Sequence, residues 1–181
     1  MNNKERILWI TRTSIFVALL VVLQAATAPL GNQIVTGSIV NLMLIISVMT
    51  CGIASGLSVA VVSPVMAKFL GIGPFWSLIP FIAAGNIVLV ILWHLIGNQN
   101  WGRKHIACVV ALITAAIAKF LVIYIGIVKI AVPVFLGLPE PQAAVISNMF
   151  SIPQLINPLI GGISASILLP ILRKTIRERQ E

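Results

Sequence analysis

The chain has 181 residues, 59% hydrophobic and 9% charged, with a mean hydropathy of +1.09. Soluble domains carry roughly 25% charged residues, so this composition excludes a soluble globular protein and describes a single integral membrane domain over residues 1–181, without linker or soluble module. The net charge of +8 invites nucleic acid as a partner, and the placement of the charges decides against it.

A membrane-crossing helix needs about 20 apolar residues, roughly 17–25. Six runs qualify in chain order: 7–28, 34–50, 52–70, 76–96, 106–128 and 144–172, the last with a polar lead-in. Turn signals separate them at "APLGNQ", "TCG", "GIGP", "GNQNWGRKH" and "VPVFLGLPEPQ". The expected fold class is therefore an all-α integral membrane protein, a six-transmembrane-helix bundle. The second and third runs are joined by a tight turn at 50–52, and a five-span count is the rival.

Charge placement favours six. Of 12 Lys and Arg, nine lie at the N-terminus (Lys4, Arg6, Arg12), between runs four and five (Arg103, Lys104) or at the C-terminus (Arg173, Lys174, Arg177, Arg179). An even count puts all three places on one side, which the positive-inside rule makes the cytoplasm, with both termini there. The positive charge then marks topology, and no nucleic-acid partner is expected. The first run also has signal-peptide features ending at Ala26–Ala28, but a cut there falls before Pro29 and would leave opposed basic ends. Trp9, Trp76, Trp93 and Trp101 sit near run ends as interfacial anchors.

Catalytic chemistry is sparse. The acidic residues are Glu5, Glu140, Glu178 and Glu181, so none of the six runs holds a carboxylate. His94 and His105 lack a second ligand pair at metal spacing, and Cys51 and Cys108 are expected to be reduced packing residues. No phosphate loop is present. No metal, cofactor or enzymatic activity is expected, and any energised process must be driven by another protein.

What remains is polarity inside the membrane. The tetrapeptide "AKFL" occurs twice, placing Lys68 and Lys119 in outward-running segments. Lys68 lies near its run end and can extend its ammonium to the interface. Lys119 lies about 20 Å from the inner end of its own run, where a charge faces the bundle interior or a cavity. In run six, Asn148, Ser151, Gln154 and Asn157 recur every third residue and would form one polar stripe, either a helix-packing seam or a ligand-facing surface. Phe75 and Trp76 in the outer loop could cap an organic ligand. Two cations beside amides suit a substrate with a carboxylate or phosphate. Small residues four apart, such as Gly52, Gly56 and Ala60, or Gly161 and Ala165, let helices approach closely.

In length, six runs, cytoplasmic ends, lack of an ATPase and polar residues towards the outer ends of runs four to six, the chain resembles the substrate-binding S components of energy-coupling factor (ECF) vitamin transporters. That family's first span commonly carries an Ala-xxx-Ala pattern; "SIFVA" offers Ser14-xxx-Ala18, with serine for the first alanine. The resemblance implies a multi-pass subunit of the prokaryotic plasma membrane, surrounded by lipid, that binds a vitamin or related micronutrient. It implies docking through Ser14 and Ala18 on a coupling transmembrane subunit served by two ATPases. The other readings are a self-contained secondary carrier or channel, and a structural accessory subunit.

Overall fold

A computed structural model describes residues 3–73, 75–99 and 104–178, apart from the side chains at 104–105 and 175–178. Among these residues the chain forms seven α-helices and no strand: α1 (Asn3–Thr27), α2 (Gln33–Cys51), α3 (Ile53–Phe69), α4 (Ile79–Gly97), α5 (Lys104–Ile123), α6 (Glu140–Met149) and α7 (Pro153–Glu178). Five segments are long and apolar enough to cross a membrane, and α3 is a shorter apolar helix of 17 residues, at the lower limit for spanning. The chain is an all-α membrane bundle.

Local chemistry explains the boundaries. Asn32 caps α2, its Oδ1 accepting from the backbone N–H groups of Ile34 and Val35 at 3.0 and 3.3 Å. Gly52 alone makes the turn between α2 and α3, at a φ of 86° that favours glycine. It donates to the Val48 carbonyl and accepts from the Gly56 N–H, which closes one helix and opens the next.

Three expectations are corrected. The run 106–128 does not end there: α5 continues into a π-wound stretch, Tyr124–Leu136, before Gly137 turns at a φ of 53°. The change of winding precedes Pro133, whose ring and missing N–H do not fit regular α winding. The run 144–172 is not one helix, because the chain breaks at 150–152, between α6 and α7. Pro153 opens α7, and a residue before proline is driven out of the α region. Trp93 is fully buried and so is no interfacial anchor. Gly97 and Gly162 leave it room, since a Cβ at either would lie 3.1 Å from its ring. Trp101 and Arg103 fall outside the described residues. Trp76, by contrast, is 52% exposed.

Lipid is as apolar as leucine, so close packing and polar pairing, more than water exclusion, hold such a bundle together. Helix α2 runs through its centre with Leu44, Ile45 and Ser47 fully buried. It meets α7 at Gly161, where a Cβ would lie 2.6 Å from the Ser38 carbonyl oxygen; only glycine lets the two backbones come so near. At one end of the bundle Arg173 donates to the Met49 carbonyl (3.3 Å) and Asn98 Oδ1 (3.4 Å), and Thr13 bonds Ser55 (2.7 Å). The first turns of α1 and the α7 segment that carries Arg173 and Lys174 therefore gather at that end, while Arg179 falls outside the described residues. At the other end the 28–33 turn, residues 70–73 and the α6–α7 junction converge.

Candidate functional site

Lys119 is 97% buried on α5, with 3% relative exposure. Its Nζ donates to Asn41 Oδ1 on α2 at 2.6 Å and to Asn86 Oδ1 on α4 at 2.8 Å. Backbone carbonyls fix which end of each amide faces the lysine. Asn41 Nδ2 donates to the Gly37 carbonyl one turn back (2.7 Å), and Asn86 Nδ2 donates to the Ala60 carbonyl on α3 (3.4 Å). The Ala60 carbonyl needs that donor, because its usual helical partner would be the N–H of residue 64, a proline. Next to Asn86, Gly85 lets α4 and α5 close around the lysine stem: a Cβ there would lie 2.6 Å from Ile123 and 3.5 Å from Lys119 Cγ.

The cluster faces a cavity of about 440 Å³ that opens towards the convergence of loops. Gly31 to Gln33, Gly71 to Gly73, and the Met149–Phe150 junction form its rim; Val40, Pro64, Ile82 and Ile123 supply apolar wall. Lys119 is the one ionisable side chain among the described residues that line it. Three further buried polar atoms on the lining have no protein partner: Gln24 Oε1, Ser63 Oγ and Asn157 Oδ1. Asn157 lies so close to α2 that a Cβ on Gly37 would collide with its amide. At the rim, Gln33 Nε2 donates to the Met149 carbonyl at 2.7 Å and Gln154 Nε2 to the same oxygen at 3.5 Å.

Of the residues singled out from the sequence, Lys119, Gln154 and Asn157 come together on this cavity. The other five do not line it. Asn148 is exposed on α6, and Ser151 in the break bonds the Ser147 carbonyl at 2.6 Å. The broken helix thus disperses the expected single stripe. Lys68 donates to the Gly73 carbonyl at 3.2 Å, bracing the rim loop from outside. Trp76 meets Phe69 edge-on, centroids 5.1 Å apart, and Phe75 is 36% exposed.

Sequence reasoning passed over Asn41, Asn86, Gln24 and Ser63. The first two carried a usable signal: each is a lone amide in an apolar run, "SIVNLML" and "AAGNIVL", which is the logic that picked out Lys119. Ser14 and Ala18 are exposed on α1, in an open groove of about 430 Å³ shared with Ser58, Val62 and Met66 of α3.

No curated protein and no solved structure matches the chain. A family model described as the ECF transporter substrate-specific component matches residues 9–173, nearly the whole of this cavity-bearing bundle, and the chain belongs to that family.

Proposed function

We propose that this substrate-specific membrane subunit of an ECF transporter takes up a vitamin or related micronutrient in the cavity around Lys119. It releases the ligand inward when docked on a coupling transmembrane subunit with two ATPases. It acts as a binding subunit and not as an enzyme, in the prokaryotic plasma membrane. The observation that carries this reading is a buried ammonium held by two amides on a cavity of about 440 Å³. Ionisable groups at membrane depth are costly and belong to substrate or ion pathways, and the volume falls within the roughly 300–1,000 Å³ of small-molecule sites. With the basic ends cytoplasmic, the cavity mouth faces outward. The exposed groove at Ser14 and Ala18 offers a close-packing face for the coupling subunit.

The test is retention followed by transport. Purified alone in detergent, the full chain is expected to hold a small molecule identifiable by mass spectrometry. Reconstituted alone it is expected to accumulate nothing, and with the coupling module and ATP it accumulates that molecule. An accessory subunit would retain nothing, and a self-contained carrier would accumulate substrate by itself.

A further inference from the structure

Charge and hydrogen-bond capacity around the cavity narrow the ligand's chemistry. An ammonium has three N–H donors, and two of those on Lys119 are committed to Asn41 and Asn86. No third partner stands among the described residues, and the cavity lining includes no carboxylate. The site therefore presents one uncompensated positive charge with one donor to spare. A single carboxylate balances it; a phosphate monoester, close to a dianion at neutral pH, would leave a buried negative charge, which low-dielectric surroundings penalise. Four backbone N–H groups beside the rim are also already engaged. The N–H groups of Gly71 and Ile72 are bound to the carbonyls of Lys68 and Ala67, and those of Ile34 and Val35 to Asn32.

Part of the remaining lining is complementary in the opposite sense, and Ser63 Oγ there can accept as well as donate. Gln24 Oε1 and Asn157 Oδ1 are acceptors without partners, on residues 7% and 1% exposed, and both belong to the cavity wall. A ligand that satisfies them must donate. From these observations we infer that the ligand is a monocarboxylate that also carries an N–H or O–H donor on an otherwise apolar body. The acid pairs with Lys119 while Asn157 and Gln24 take the donor. This assignment rests on the reading of the cavity as the substrate site.

The experiment uses the full chain purified in detergent. It is incubated with a deproteinised extract of the cells that carry it, and the retained molecule is identified by mass. In parallel, binding is measured for biotin and pantothenate, both monocarboxylates with N–H groups, for the methyl ester of each, and for riboflavin, thiamine and pyridoxal 5′-phosphate. The retained molecule is expected to be a monocarboxylate, and an acid that binds is expected to exceed its own methyl ester by at least about tenfold. Lys119→Met removes that acid-over-ester preference. Asn157→Leu weakens acid and ester by the same factor and leaves their ratio intact, which keeps the test open should the lysine variant fail to fold. Retention of a neutral, cationic or phosphorylated molecule, or equal binding of acid and ester, overturns the substrate class and leaves the cavity reading standing. Retention of nothing, from extract or probe set, overturns both.

Discussion

Asn86 on α4 donates to the backbone carbonyl that Pro64 on α3 leaves without its helical partner, that of Ala60, and with its other end it accepts from Lys119. One amide thus repairs a break in one helix and holds a charge on another. Removing it exposes two faults at once. Asn86→Leu leaves a carbonyl and an ammonium each short of a partner, at about 1–3 kcal/mol apiece. The added change Pro64→Ala restores an N–H for Ala60 and is expected to recover only the first share. Thermal melting of the two variants in detergent checks this: a double variant no more stable than Asn86→Leu would mean that Asn86 does not cap the α3 break.

Lys119→Met keeps the length of the side chain and removes its charge. If the ammonium binds the ligand, affinity falls at least about tenfold, since a charge-assisted bond contributes about 1.5–3 kcal/mol. Titration calorimetry with the retained molecule measures it, and unchanged affinity would remove Lys119 from the site.

Two glycines separate binding from folding. At Gly37 an added Cβ meets the Asn157 side chain along its length, with Cγ at 2.6 Å and Cβ at 3.3 Å, so Gly37→Ala displaces that amide and is expected to weaken ligand binding more than it lowers the melting temperature. At Gly161 the Cβ meets the backbone of α2, with the Ser38 oxygen at 2.6 Å and the Leu42 nitrogen at 2.8 Å. Gly161→Ala is expected to destabilise the bundle by about 1–3 kcal/mol, the usual cost of overpacking. Measured side by side, the two substitutions should affect opposite observables; a loss of stability at Gly37 as large as at Gly161 would show that Asn157 cannot yield.

Ala18→Trp fills the open groove between α1 and α3, whose lining shares no residue with the cavity. Ligand binding in detergent is expected to persist while co-purification with the coupling module and uptake in cells are lost. Transport at the wild-type rate would move the docking surface elsewhere.

The membrane class, the apolar runs and the approach of the start of α1 to the end of α7 at one end of the bundle were legible in the amino-acid sequence. Hydropathy and length are local properties, and lipid enforces them run by run. Lys119 was legible for the same reason, as a costly charge in an apolar stretch. Its partners were not. Asn41 lies 78 residues away along the chain and Asn86 lies 33 away, and only the crossing of α2, α4 and α5 brings them to one point. The even spacing from Asn148 to Asn157 suggested a stripe that the break before Pro153 divides between two helices. Periodicity assigns a face only while a helix continues, whereas a cavity is made by several helices together. The sequence by itself determined which polar groups lie in the apolar runs; the tertiary structure decided which of them satisfy one another and which, like Gln24 and Asn157, keep an acceptor without a protein partner beside the cavity.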